Sequence, residues 1–387
     1  MDALMTAEQA VLGAVLLEPR RLAELEDLRP PDFYRPVHQA VFAAMRTLRA
    51  QGHPAMTASS GVPLSWVTGI AEEAGRQVRG VTPSYAHTLV EACPRPANAA
   101  LYGRMVLEGA IHRSVAEHAH RLHQAAASAA PGEAGSTLEQ ATALLGALDD
   151  AAGRWGTPAR PVSPGREFRA SAESAPPGSE QQLHAEQGLL AVLVEGGVSA
   201  REAVPWLRAG DFTEPLHGRL YQCLDALHRR GEPVDAVTVL WEAQRRKLLV
   251  PGQVEAEEVL RICRSTGAGS ADWLGQRVLA ASLARSAAAC AQSVRTLAAD
   301  PSLSPGRLLG HALHCLQPLE ETRSRWEQAL GSSLPPPRSA AAATGSRVQA
   351  ALARTPHPAP PRTVATGHPP IRPQPLAAAR TRTEPTR

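Results

Sequence analysis

An eleven-residue stretch occurs twice in this chain, and duplication constrains the fold more than any single motif. Leu28-Arg29-Pro30-Pro31-Asp32-Phe33-Tyr34-Arg35-Pro36-Val37-His38 lies over Leu207-Arg208-Ala209-Gly210-Asp211-Phe212-Thr213-Glu214-Pro215-Leu216-His217, with Leu, Arg, Asp, Phe, Pro and His in the same order and spacing. The match extends upstream, where Ala7-Glu8-Gln9 and Ala185-Glu186-Gln187 each run into an apolar segment. Downstream, Val37, Val41, Met45 and Leu48 fall on Leu216, Leu220, Leu224 and Leu227, and Gly52 and Pro54 on Gly231 and Pro233. A recurrence of this kind identifies a repeated structural unit.

The repeat reads as helix throughout. Val11, Leu12, Val15 and Leu16 share one face behind a capping-box pattern at Thr6 to Gln9, and Pro19 closes that helix. Pro36 suits the first turn of the next, amphipathic helix, and Gly52 is placed to end it. Residues 57 to 64 read as a loop; short helices are expected around Trp66, Ile70 and Ala74 and around Tyr85, Leu89 and Val90. Apolar residues then recur at three and four from Ala97 to about Ala130, Pro131-Gly132 turns the chain, and Thr137 to Trp155 returns, which makes a helical hairpin.

The second copy follows the same plan, with helices at Glu186 to Glu195, Leu216 to Arg230, Val237 to Lys247 and Glu255 to Arg264. A long helix from Ala271 to about Ala299 turns at Pro301 to Pro305 and returns from Arg307 to Leu330. No segment alternates with period two long enough to make a strand, so the expected fold is all-α: two tandem modules, each a small helical globule plus a hairpin. The expected division is residues 1–155 for the first module, a Pro/Gly/Ser-rich linker at 156–183, the second module at 184–330 and a disordered basic Pro/Ala/Arg-rich tail at 331–387.

Charge separates tail from body. The net charge is +3 over 387 residues. The segment from 332 onward carries eight arginines and one glutamate, which leaves the rest mildly acidic. Five cysteines (Cys93, Cys223, Cys263, Cys290, Cys315) show no CxxC pair and sit in apolar surroundings, as expected of buried thiols in a reducing compartment. The start of the chain lacks the basic and apolar regions of a signal peptide, and the longest apolar run, Ala10 to Leu17, is too short for a membrane helix; a cytoplasmic protein is expected.

The Ala-Glu-Gln lead-in, the Asp-Phe turn with its Pro and His, the following Gly-x-Pro and, in the second copy, Asp235 with Thr238 and Leu240 resemble the N-terminal domain of DnaB-type bacterial replicative DNA helicases. In the first copy Pro94-Arg95-Pro96-Ala97-Asn98, with Tyr102 and Arg113, is similar to that family's segment before its long helix. The copies depart differently: the first has Ala55-Met56-Thr57 in place of Asp-x-x-Thr, and the second has Thr266-Gly267-Ala268-Gly269 in place of Pro-x-Pro-Ala-Asn. The resemblance implies a domain that organises partners: self-association, contact with helicase or primase, and a part in the primosome. In that family unwinding belongs to a separate ATPase domain. A Walker A loop needs a lysine to reach the β- and γ-phosphates, and the single lysine, Lys247, stands between Arg246 and Leu248. The chain is therefore expected to be no ATPase, to need no cofactor and to hold no metal.

The signature residues Glu8, Gln9, Asp32, Phe33, Pro36 and His38, with Glu186, Gln187, Asp211, Phe212, Pro215 and His217, are expected to mark the fold, with no catalytic residue among them. His38 and His217 lie in first helical turns where packing and local hydrogen bonding with Asp32 and Asp211 account for them. Phe33, Phe42, Phe212 and Tyr221 are expected core anchors. His112, His118, His120 and His123, with Glu117 as a further donor, and His311 with His314, have spacings that could share a metal, but a solvated helix face explains them without one. The tail's arginines have no aromatics between them for base stacking, so the tail reads either as a tether or as an arm holding nucleic-acid phosphates. The function implied is a replication-associated protein acting by contact, its modules free to pair as an internal pseudo-dimer. The alternatives are a nucleic-acid-binding protein using its tail and the motor-less part of a split helicase.

Overall fold

Helix α1, Ala3–Leu17, is buried on nearly every side from Ala10 to Leu16, so it is the central post of the first globule rather than a surface helix with one wet face. It also begins before Thr6, so Thr6 sits inside the helix and is not its cap. The structure, a computed structural model, describes residues 3–57, 64–158, 160–163, 179–202, 204–265 and 267–333. Most of the loop at 57–64, the middle of the linker and almost the whole tail fall outside them.

Around α1 pack α2 (Pro36–Ala50), α3 (Leu64–Gly75) and α4 (Pro83–Glu91). Between α1 and α2 the chain makes a 3-10 helix, Pro19–Leu25, and a single 3-10 turn, Pro30–Asp32. Pro36 and Pro83 occupy first-turn positions, where the missing N–H has no intrahelical partner. Trp66, fully buried, donates its indole N–H to the Val15 carbonyl and so ties α3 to α1. The approach of α1 to α4 is tighter still: a Cβ at Gly13 would lie 2.0 Å from the Leu89 carbonyl oxygen. The first hairpin follows as α5 (Ala99–Ser128) and α6 (Gly135–Trp155), with Gly156 at φ +75 ending α6 in a left-handed cap.

The second module repeats this plan with α7 (Glu180–Glu202), α8 (Pro215–Arg229), α9 (Ala236–Arg245), α10 (Ala256–Cys263), α11 (Ala271–Ala298) and α12 (Pro305–Ser333). Helix α7 starts six residues before the apolar pattern does and is broken by non-helical backbone at Gly197. Asp235 caps α9 from its side chain and Thr238 answers it, a full capping box. The Thr266–Gly269 departure has a packing reason, since a Cβ at Gly267 would sit 2.5 Å from the Gly188 carbonyl on α7. Helix α12 runs through Pro318 without ending.

All described regular structure is helical, apart from one isolated bridge between Val250 and Val254. The two hairpins do not stand free. Helices α5, α6, α12 and α11 form a four-helix ring in which α5 packs on α11 and α6 on α12. The described residues cluster as one compact unit, and the apolar core runs through both modules. The start of the linker contributes to this. The Val162 N–H donates to the Gly310 carbonyl and the Val162 carbonyl meets His311 Nδ1, each at 2.9 Å, so the chain leaving α6 is strapped onto α12.

Candidate functional site

Each copy of the signature builds two buried polar clusters. In the first cluster of copy one, Glu8 projects from α1 at zero exposure; one carboxylate oxygen accepts the Tyr34 N–H and the other meets His38 Nδ1 at 2.7 Å. His38 Nε2 lies 2.8 Å from the Tyr85 hydroxyl on α4. The second copy repeats the arrangement: Glu186 accepts from the Thr213 N–H at 2.6 Å and the Glu214 N–H at 3.3 Å, and meets His217 Nδ1 at 2.8 Å. Burial pushes the Glu186 carboxyl upward, but the bonds from His217, Thr213 and the Glu214 N–H outweigh it and hold the group below its usual range. The histidines' partners are thus the glutamates of the Ala-Glu-Gln lead-in, not Asp32 and Asp211 as local spacing suggests.

The second cluster is a clamp between globule and hairpin. Asp32, third in its 3-10 turn, reaches back to the Arg29 N–H at 2.6 Å and pairs with Arg154 on α6, while its own carbonyl accepts from Arg113 on α5. Asp211 reaches back to the Arg208 N–H at 2.7 Å, pairs with Arg325 on α12 and accepts from the Ser282 hydroxyl at 2.9 Å; its carbonyl accepts from Arg285 on α11 at 2.6 Å. One aspartate therefore holds both helices of its hairpin: its carboxylate pairs with an arginine on the second and its carbonyl accepts from an arginine on the first, where Asp211 adds the carboxylate bond from Ser282.

The copies differ at the rim. Arg29 grips Asp150 with two bonds of 2.9 and 3.1 Å, whereas its counterpart Arg208 reaches Glu321 only at 3.7 Å. A groove of about 460 Å³ opens there, lined by Trp206, Arg208, Glu321 and Arg325 among others. Burial makes Arg285 less basic than usual, against the pull of Glu186 and Asp211.

Phe33 stacks tilted on Phe42 at 4.9 Å between centroids, and Phe212 on Tyr221 at 5.2 Å, all four buried. Burial raises the Tyr221 hydroxyl to about 12, and it donates to the Leu207 carbonyl at 3.0 Å. Pro36 and Pro215 open α2 and α8. Gln9 and Gln187 are half-buried and take no part in either cluster. Arg154, Ser282, Arg285 and Arg325 escape a reading confined to the signature, and Arg113 enters it only through the family resemblance. Arg113 and Arg285, and Arg154 and Arg325, match only when the offset of 179 between the signatures shortens to 172 and 171 in the hairpins, so the overlay of the signature does not pair them.

A general base needs access to a substrate proton. Both Glu–His pairs are sealed, His38 at zero exposure and His217 at 2%. Among the described residues no group of three His, Cys, Asp or Glu is placed to hold a metal. His112 is not on a solvated face: its Nδ1 and Nε2 lie 3.0 Å from the carbonyl oxygens of Ala298 and Leu303 in the other module. His118 Nδ1 turns back to the Ser114 carbonyl at 2.8 Å.

The DnaB-like helicase N terminal domain model matches twice, at residues 2–108 and 178–268, just over half of the chain. The chain belongs to that family. It carries the domain in two copies. Similar proteins include the replicative DNA helicase DnaB of Mycobacterium leprae, 37% identical over 121 residues, which is 31% of this chain and 19% of the helicase. DnaB of Geobacillus stearothermophilus is 37% identical over 119 residues, 30% of this chain and 25% of the relative. The replicative DNA helicase DnaC of Bacillus subtilis is 36% identical with the same coverage. A crystal structure of the N-terminal domain of DnaB helicase from Mycobacterium tuberculosis is 34% identical and covers 36% of this chain and 95% of its own, with a TM-score of 0.30. The chain thus spans about a fifth to a quarter of these helicases' length, and the family match falls on their N-terminal domain, not on an ATPase domain. Among the described residues no helix is long and apolar enough to cross a membrane.

Proposed function

We propose that the protein is a cytoplasmic accessory factor of DNA replication that works by contact with a replicative helicase or a primase and catalyses nothing itself. The observation that carries this is the twofold presence of a helicase N-terminal domain whose acidic and histidine signature residues are all buried. Glu8 with His38 and Glu186 with His217 join helices within each globule, and Asp32 with Arg154 and Asp211 with Arg325 hold globule to hairpin, so that none of these groups faces a substrate. On this reading the modules are residues 1–155 and 184–330, the signature residues serve the fold, and recognition falls to outer surfaces where the copies have diverged. One such surface is α9, where Val237 and Trp241 stand one turn apart at 66% and 63% exposure.

A pull-down against the host's helicase and primase at micromolar concentration tests the proposal, and absence of binding to both refutes it. The charge division, a tail of net positive charge beside an acidic body, supports a second reading in which residues 332–387 hold nucleic-acid phosphates. Deleting them then abolishes DNA affinity and leaves helicase or primase binding intact. ATP hydrolysis by the pure protein would overturn the non-catalytic reading.

A further inference from the structure

We propose that the groove beside Arg208 is a docking site for the carboxylate of an aspartate or glutamate side chain on a protein partner. The proposal gives one surface of the second module a defined chemistry. It rests on the contact reading only in taking the occupant from a protein.

The duplication supplies an internal comparison. In the first module the corresponding place is filled by the chain itself. Arg29 grips the Asp150 carboxylate with bonds of 2.9 and 3.1 Å, and Arg154 approaches the same carboxylate at 3.7 Å. Arg154 also donates its Nε–H to the Asp27 carbonyl at 3.2 Å. In the second module Arg208 stands for Arg29, Trp206 for Asp27, Glu321 for Asp150 and Arg325 for Arg154.

There the carboxylate is missing from its place. Glu321 stays 3.7 Å from Arg208, beyond hydrogen-bond reach, and both side chains are largely exposed. Arg325 keeps Asp211, the Trp206 carbonyl and the Thr322 hydroxyl on its two terminal nitrogens. Its Nε has no hydrogen-bond partner among the described residues, and neither has Trp206 Nε1. Both residues are more than nine-tenths buried, and both line the groove of about 460 Å³. The Trp206 ring is wedged in position, since a Cβ at Gly275 on α11 would lie 2.9 Å from its outer edge. Buried donors without acceptors are costly, so two of them under one groove mark a place for an acceptor from outside.

The donors define that acceptor. Two N–H groups lie at the floor and the Arg208 guanidinium stands at the rim, so a group with two anionic oxygens can serve both levels at once. A side-chain carboxylate is what the equivalent arginines hold in the first module. The chain's own tail is a poor source, with one glutamate among eight arginines from residue 332 onward. Glu321 lies over the same donors and must swing aside, which makes it the competitor of the incoming group.

The test uses the whole chain, deuterated and labelled with nitrogen-15. Its six tryptophans give six indole N–H signals, and Trp206→Phe identifies the one that belongs to Trp206. Titration with N-acetyl-aspartic acid α-amide at constant ionic strength should move that signal downfield to saturation in the millimolar range, while N-acetyl-asparagine amide leaves it in place. Arg208→Gln should weaken binding roughly tenfold through loss of a charged hydrogen bond. Glu321→Gln, which removes the competitor, should tighten it about threefold. Arg29→Gln should do neither, and the other five indole signals report that each variant is folded. The proposal is overturned by an absent or unsaturable response of Trp206, an equal response to the asparagine compound, or tighter binding of inorganic phosphate than of the aspartate. Unchanged binding in Arg208→Gln or weaker binding in Glu321→Gln would overturn it as well. A failed titration leaves helicase or primase binding as the pull-down reads it, and a failed pull-down leaves the titration as it is.

Discussion

Replacing Asp211 with alanine should damage this protein more than the same change at its duplicate, Asp32. Asp211 is 2% exposed, and its loss strands Arg325, whose side chain is 11% exposed and would keep only the Trp206 carbonyl and the Thr322 hydroxyl as partners, at 3.4 and 3.3 Å. Removing one member of a buried ion pair leaves an uncompensated charge, which costs about 3–5 kcal/mol. Asp32 is more exposed at 8%, and Arg154, at 14%, would keep the Asp27 carbonyl at 3.0 Å and Asp150 at 3.7 Å. Its loss should cost roughly 1–3 kcal/mol. Urea denaturation followed by helical circular dichroism, with midpoints and slopes compared, measures both. The pair double variant Asp211→Ala with Arg325→Met should recover part of the loss, because an apolar replacement of both partners leaves no buried charge behind. The clamp argument is refuted if Asp211→Ala is no more destabilising than Asp32→Ala, or if the double variant is worse than Asp211→Ala alone.

Three further outcomes follow from the same structure. Glu186 has a folded-state pKa below its ordinary value, so its contribution is fully present above the unfolded carboxylate range, about 4.3, and is lost as pH falls through the lower folded value; the stability gap between wild type and Glu186→Gln should be constant near neutrality and close in acid, and a gap that widens in acid would contradict it. Gly13→Ala should destabilise by about 1–3 kcal/mol in thermal melts, since its Cβ must displace α4 from 2.0 Å; a neutral effect would mean that α1 and α4 separate freely. Burial raises the thiols of Cys223 and Cys263 to about 11 and of Cys290 to about 12, so a disulfide reagent at pH 8 should modify these three only on unfolding, and prompt modification of any of them in folded protein would show that its site opens.

The duplication, the all-helical character and nearly every helix were legible in the sequence because they rest on local chemistry. Period-three-and-four apolar spacing, first-turn prolines such as Pro36 and Pro215, and Asp235 capping α9 act within a turn or two of where they are written. Phe33 and Phe212 could be named as core anchors for the same reason, being the large apolar residues of a repeated turn. The missing Walker lysine is a fact of composition alone.

Tertiary structure decided what those residues touch. His38 bonds to Glu8, thirty positions away, and Asp32 to Arg154, more than a hundred away; no periodicity carries such a pairing, because a hydrogen bond is set by where two helices come to rest. The same holds for the start of α7, which lies outside the apolar pattern, and for the strap at Val162, whose partners are on α12. It holds most of all for the seam between the modules. His112 looked like one of several histidines on a wet helix, and only the packing of α5 on α11 turned both of its ring nitrogens onto carbonyls of the other module. Sequence specified two similar halves, and the long-range packing of α5 on α11 and α6 on α12 specified how they meet.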